Sequence, residues 1–340
     1  MTRGVIAGKF LPPHSGHKYL IDQGRSQCDQ LTVLICDRPE FGIPAQLRKK
    51  WLEAIHPDVQ FIVIQDILDD NDSPAWATFT IQTLGFRPDV VFSSENYGTS
   101  YAHYLKCRHV NVDQARVHQP ISGTAVREDP WSNWQYLDPI VRAYFTKRIC
   151  IVGAESSGTT TLTKSLAEYY GTNWVAEYGR AYTELHQSEL NHNGWKTSDF
   201  THIAQEQNRL EDEAAAGANK LLFCDTDSFA TSIWHERYMN RRSPEVEALA
   251  VNRQYTLYLL THPEIPFEQD GMRDGEALRP WMHERFEEKL RFWSKPYVVM
   301  RGSQDERVKR AVSIIDQLND GSAVQIKGLV RNKWQPRGGF

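Results

Sequence analysis

The sequence predicts an α/β protein made of two successive units, each a parallel sheet with crossover helices. Short β-branched and apolar runs alternate with longer amphipathic ones, as expected of buried strands joined by helices. The series closes in a stretch rich in proline and aromatics and starts afresh at Ile149. The chain, at 340 residues, also exceeds the roughly 150 residues of one typical domain.

In order, the first series places strands at Val5-Ile6-Ala7, Leu31 to Cys36, Phe61 to Ile64 and Val90-Val91-Phe92. "EDPWSNWQYLDPIVRAYFTKR" follows, with Pro130, Pro139, Trp131, Trp134 and Tyr136, and reads as the end of one domain and a packed connector. The boundary is expected near Lys147, giving domains at 1–146 and 147–325. The second series runs through Ile149 to Val152, Leu221 to Cys224, Tyr255 to Leu260 and Tyr297 to Met300. The remaining 326–340, ending "VRNKWQPRGGF", reads as a weakly ordered basic tail.

Composition narrows the class of function. A hydrophobic share of 40%, a charged share of 24% and a net charge of -4 give no global bias towards nucleic acid or membrane. Cys28, Cys36, Cys107, Cys150 and Cys224 are scattered without metal or redox spacing, which fits a reducing cytoplasm. There is no signal-peptide pattern and no apolar stretch of the about 18 residues a membrane span needs. A soluble cytoplasmic protein is expected, without membrane insertion, and its oligomeric state is open.

"GKFLPPHSGHKYLI" follows the first strand, so its turn belongs at the carboxyl end of that strand, where open α/β sheets bind ligands. Pro12 and Pro13 stop the strand, and His14 or Ser15 begins a helix. His14 and His17 then share one face of the first turn, while Gly16 allows close approach. Backbone N–H groups there favour an anion, and imidazoles can donate to phosphoryl oxygens as charge builds up. A pair of satisfied surface histidines is the plainer reading, and a metal site lacks a third ligand nearby. "PISGTAVRED" offers a second cradle: hydroxyls at Ser122 and Thr124 flank Gly123, and Arg127 follows with a guanidinium that can fork onto phosphate. Its plainer reading is a capped helix.

Together these stretches resemble the nucleotidyltransferase superfamily. Its pattern G-x-F-x-P-x-H-x-G-H is met by Gly8, Phe10, Pro12, His14, Gly16 and His17, and its I-S-x-T-x-x-R by Ile121, Ser122, Thr124 and Arg127. "LRKKWLEAI", "SSENYGTSYAHYL" and "VDQAR" are similar to the nicotinamide mononucleotide adenylyltransferase domain of the NadR family. The resemblance implies that His14 and His17 polarise the ATP phosphates, and that Ser122, Thr124 and Arg127 hold the leaving pyrophosphate. The acceptor phosphate would attack the α-phosphorus directly. The nicotinamide ring should stack on an aromatic, with Trp76, Tyr97 and Trp131 as candidates.

"GAESSGTTT", Gly153 to Thr161, lies between an apolar strand and the helical "LTKSLAEYY". A phosphate-binding loop G-x-x-x-x-G-K-[ST] belongs in that setting, because its lysine reaches the β- and γ-phosphates. Gly153, Ser156, Ser157, Gly158, Thr160 and Thr161 fit it, but Thr159 stands in place of the lysine. "AEYGRAY", "DTDSFAT" and "QDGMRDGEALR" resemble the ribosylnicotinamide kinase domain that follows the adenylyltransferase domain in NadR-type chains. The resemblance thus implies a Rossmann-like nucleotidyltransferase domain followed by a P-loop kinase-like α/β domain, with ATP, nicotinamide mononucleotide and nicotinamide riboside as ligands. It implies Mg2+ carried with ATP and held by Thr160 and Asp225. Glu177 and Asp227 are the candidates to bind ribose or accept the proton of its 5'-hydroxyl, a plain helix cap being the alternative for each. Arg273 and Arg279 could close over the phosphates.

A neutral hydroxyl at 159 cannot neutralise charge on a transferring phosphoryl group. One such lost contact costs on the order of 3 kcal/mol, about a hundredfold in rate. Lys164 is no simple replacement, being turned about 140° around the helix from Thr159. The expectation is a domain that binds nucleotide and transfers phosphate slowly or not at all, unless Arg180, Arg273 or Arg279 supplies the charge. Two other readings stay open: adenylyl or cytidylyl transfer to another phosphate acceptor, and a regulatory protein whose second domain senses nucleotide. An N-terminal helix-turn-helix is not expected, because the first strand is under way by Val5, and DNA binding is disfavoured.

Overall fold

Four apolar runs and one polar edge strand lie parallel in the first unit, Met1–Phe145, of the computed structural model, which describes residues 1–269 and 275–320. The strands are β1 (Arg3–Gly8), β2 (Gln30–Asp37), β3 (Gln60–Gln65), β4 (Val90–Ser93) and β5 (Arg108–Asn111), in the order β3-β2-β1-β4-β5. All pair in parallel. Ile6, Val33, Ile35 and Phe92 belong to one buried cluster, and Val5, Leu34 and Val91 to another. A sheet covered on both faces needs apolar residues at successive positions, which is why these strands read as unbroken runs. The strand order reverses between β1 and β4, which opens a crevice at their carboxyl ends.

The aromatic stretch after Asp129 is more than a connector. Trp134, Leu137, Val141, Tyr144 and Phe145 bury themselves with Leu11, Trp51, Ile121 and Val126 and form a further core of the first unit. That core seats the turn after β1 beside the helix Gly123–Glu128. Arg48, fully buried, is a polar tie nearby. It donates to the carbonyls of Ile43 (3.0 Å), Cys36 (3.0 Å) and Lys9, and pairs with Asp37.

The second unit begins at Thr146. Its strands are β6 (Lys147–Gly153), β7 (Trp174–Val175), β8 (Leu221–Asp225), β9 (Leu257–Thr261) and β10 (Tyr297–Met300), in the order β10-β9-β6-β8-β7. All again pair in parallel. The first strand of the unit is therefore central, and the loop leaving it opens in mid-sheet. Sequence reading misses β5 and β7, both at sheet edges. "RHVN" is exposed at both ends and β7 has only two residues, so neither needs an apolar run. No helix among the described residues is long and apolar enough to cross a membrane.

Replacing Arg48 by Met should orphan its three carbonyls and leave Asp37 without its cation. The expected loss is about 3 kcal/mol of stability in the first unit. Urea titration followed by circular dichroism checks this, and an unchanged midpoint would contradict it.

Candidate functional site

The turn after β1 carries the first constellation. His14 precedes the helix Ser15–Arg25 as its N-cap, with extended backbone (φ -146°), and its Nδ1 accepts the Gly16 N–H at 3.1 Å. That bond leaves the proton of a neutral ring on Nε2. His17 follows one turn later, its ring centroid 3.8 Å from that of His14. Phe10 is buried with its ring 4.9 Å from His17, so it supports the imidazole rather than facing solvent. His14 Nε2 and His17 Nδ1 are buried without a hydrogen-bond partner among the described residues.

Both imidazoles are held neutral. Burial, then the Arg116 and Arg127 guanidiniums, lowers His14 to about 4. Burial and then His14 itself, with the same two arginines, put His17 well below its ordinary value against an opposing backbone bond to Pro12. Neutral rings packed beside arginines can donate hydrogen bonds to an anion without adding their own desolvated charge.

The distal motif closes on the first. Arg127 donates to the Leu11 carbonyl (2.7 Å) and to Thr124 Oγ1 (2.9 Å), while Ser122 Oγ caps its helix through the Ala125 N–H (3.1 Å). Gly123 fits where a Cβ would stand 3.3 Å from Arg127 Nη1 and 3.8 Å from His14 Nε2. A side chain there would fill the gap between the two cationic or donor groups.

These groups line a cavity of about 620 Å3, and Gly8, Gly16, Trp76 and Tyr97 line it too. Tyr97 donates its hydroxyl to the Ala7 carbonyl (2.6 Å), and Trp76 its Nε1–H to the Asp69 carbonyl (3.0 Å), so both rings are fixed in place. Trp131, the third stacking candidate, is not among the lining residues. Its Nε1 donates to the Phe145 carbonyl (3.2 Å) and its ring packs on the aromatic core, which assigns it to structure.

Arg116 lines the same cavity, although no sequence motif singles it out. The Asp113 carboxylate takes the N–H groups of Val117 (2.7 Å), His118 (3.0 Å) and Gln119 (2.8 Å), which shapes a loop with left-handed φ at Asp113 (55°) and Arg116 (53°). The loop delivers Arg116 to the cavity wall, where Glu95 pairs with it at 3.2 Å. No periodicity marks such a loop; "VDQAR" was its sole trace in the sequence.

In the second unit, Gly153 to Gly158 leaves β6 and enters the helix Thr159–Tyr170. A Cβ at Gly153 would lie 2.1 Å from Thr261 Oγ1, and Gly158 has φ 84°, so both glycines are required. Ser157 is buried. Its Oγ donates to the Ala154 carbonyl (2.6 Å) and shares a hydrogen bond with Thr261 (2.6 Å), which makes it a buttress of the loop. Ser156 adopts φ 54°, and Thr161 is exposed.

Thr160 donates to Asp225 Oδ2, while Asp225 Oδ1 is buried and unpartnered among the described residues. Burial pushes the Asp225 carboxyl up, and the hydroxyls of Thr160 and Thr159 oppose that shift. A hydroxyl beside a carboxylate with a spare oxygen is a hard-oxygen set that fits Mg2+, which completes its shell with water and phosphate. Asp227 does not fit the role expected of it. It is fully buried, its Oδ1 caps the next helix at Ala230 N–H (2.9 Å), and its Oδ2 accepts from the Tyr258 hydroxyl (2.8 Å). Burial, then Glu211, raises its carboxyl to about 6. Both oxygens being in use inside the fold, the helix-cap alternative holds. Glu177 stands half-buried before the helix Tyr178–Asn193, and Arg279 donates to the Ser156 carbonyl (3.1 Å). Arg273 lies outside the described residues.

Residues 148–307 match the model of a family described as "AAA domain". "Trifunctional NAD biosynthesis/regulator protein NadR" of Escherichia coli (strain K12) is 32% identical over 80% of this chain and 72% of the relative. The protein of the same name from Salmonella typhimurium is 31% identical over 79% and 71%. The chain belongs to the NadR family. It has the NadR fold: a crystal structure of NadR protein in complex with NR superposes with a TM-score of 0.75 at 21% identity, covering 96% of this chain and 97% of that one. Another, in complex with NAD and AMP-PNP, gives 0.75 at 20% identity over 95% and 97%.

The lowered His14 predicts an acid-sensitive first unit. Above 6.5, its ordinary value, folded and unfolded chains alike carry it neutral, so its contribution is complete. As pH falls from 6.5 towards about 4, the unfolded chain takes up a proton that the folded chain refuses, and stability declines. His14→Gln should flatten that decline in urea midpoints measured across the window. An equally steep decline in the variant would count against the assignment.

Proposed function

We propose that the first unit transfers the adenylyl group of ATP to nicotinamide mononucleotide, giving NAD and pyrophosphate. The observation that carries this is one cavity walled by two neutral imidazoles, each with one ring nitrogen unpartnered among the described residues, by two arginines and by the fixed rings of Trp76 and Tyr97. Phosphates suit the imidazoles and arginines, and a flat pyridine ring suits the two aromatic rings. An oxygen of the acceptor's phosphate attacks the α-phosphorus, the bond to the bridging oxygen breaks, and the leaving pyrophosphate carries away the electron pair. His14 Nε2–H donates to phosphoryl oxygens as their charge grows, with the His17 ring packed against it, and Arg127 and Arg116 hold the pyrophosphate end. Their work is positioning and charge stabilisation.

The names of the two relatives support NAD biosynthesis. The NR and AMP-PNP bound in the two matching NadR structures fit nicotinamide riboside and ATP as ligands. We further read the second unit as a ribosylnicotinamide kinase-like domain that binds ATP, with Thr160 and Asp225 holding Mg2+, which would neutralise phosphate charge, and Glu177 on the riboside side. Five unpaired cysteines suit a cytoplasmic setting.

Full-length protein with ATP and Mg2+ should convert nicotinamide mononucleotide to NAD, with pyrophosphate release as the readout. CTP, or another phosphate acceptor, matching that rate would transfer the reading to a different nucleotidyltransferase reaction. His17→Ala should lower turnover about a hundredfold or more while the fold persists. Arg116→Ala should lower turnover or raise the KM for ATP with little change in the KM for the acceptor, and an unaltered ATP profile would remove Arg116 from the site.

A further inference from the structure

We propose that Arg279 supplies, at the phosphate loop, the positive charge that a lysine at position 159 would carry. This rests on reading the second unit as a phosphate-binding domain. Position 159 is a threonine, so it brings no cation. Arg237, Arg279 and Arg307 touch the loop, Lys164 and Arg180 act on Asp225, and the partners of these cations sort them. Lys164 lies over the Trp174 ring at 5.1 Å. Arg180 is exposed and pairs with Glu184 at 3.1 Å, and Arg237 pairs with the loop's own Glu155 at 3.1 Å. Arg307 is fully buried: it donates to the carbonyls of Gly302, Ser157 and His262 and lies 3.6 Å from the Glu264 carboxylate. Each of its three nitrogens is engaged, and the Glu264 carboxylate counters its charge.

Arg279, like Arg307, grips the loop directly, donating from Nη2 to the Ser156 carbonyl (3.1 Å) and to the Ile265 carbonyl (2.8 Å), but it differs in what its remaining groups meet. It is 7% exposed, and its Nε is buried without a partner among the described residues. It lies over the Phe267 ring at 5.7 Å, and no described carboxylate comes within ion-pair distance of it, Glu276 acting only from farther away. A guanidinium bonded to the carbonyl of Ser156, whose φ of 54° shapes the turn, polarises the loop's peptides towards an anion, and its charge is opposed only at longer range, by Glu276, among the described residues. Arg279 is thus a positioning and electrostatic residue for the loop.

The test is calorimetric titration of the full chain with AMP-PNP and Mg2+. Gly153→Val, which blocks the loop, identifies the binding component that belongs to the second unit. If Gly153→Val removes nothing, the reading of that unit fails, and with it the proposal. Given that component, Arg279→Gln should weaken it at least about tenfold. Thr159→Lys added to Arg279→Gln should restore it to within a few-fold, because the lysine returns the missing charge. Arg279→Lys, which keeps the charge but not the fork, should retain most of the affinity even if Arg279→Gln folds poorly. Unchanged binding in Arg279→Gln, no recovery with Thr159→Lys, or Arg279→Lys binding as weakly as Arg279→Gln would each overturn the proposal.

Discussion

In both units the first strand stands inside its sheet, and each candidate site depends on that placement. β1 lies between β2 and β4, and β6 between β8 and β9, so the chain leaving each strand emerges where its neighbours diverge. A loop at such a point is flanked by packed strands yet has no strand beyond its end to pair with. Its N–H groups are left for a helix cap or for an anion. The His14–Gly16 turn and the Gly153–Gly158 loop are two solutions to this constraint, one using an imidazole as cap and the other glycines.

Each solution keeps polar groups buried and unsatisfied by protein. His14 Nε2, His17 Nδ1, Asp225 Oδ1 and Arg279 Nε are all in this state among the described residues. Such groups cost stability in the free protein, and the cores beneath the two turns offset it. The same preorganisation means that a phosphate or a metal-bound water meets donors and acceptors that need not reorganise. Neutral histidines beside Arg116 and Arg127 fit this logic, since burial and neighbouring cations act in the same direction on them.

The sequence made the core strands and both turns legible, because a doubly covered strand must be apolar at every position and a phosphate turn must have glycine where a Cβ would collide. Edge strands β5 and β7 and the Arg116 loop left little trace. Their geometry comes from pairing and from one carboxylate gathering three N–H groups, which many sequences can do. Asp227 and Trp131 show the converse error. A carboxylate after a strand and a tryptophan near a motif have the composition of site residues, but Tyr258 and Ala230 occupy the first, and Phe145 and its aromatic neighbours the second.

The amino-acid order alone determined the two α/β units, the paired histidine and arginine motifs, and the threonine at 159 where the loop pattern has lysine. These are properties of spacing and residue type, readable along one chain. Tertiary structure decided which groups meet: that Arg127 reaches the Leu11 carbonyl, that Arg116 faces the histidines, and that Arg279 rather than Arg180 lies on the phosphate loop. Those contacts span up to 123 positions in the chain, a separation at which periodicity carries no information and packing alone sets distance.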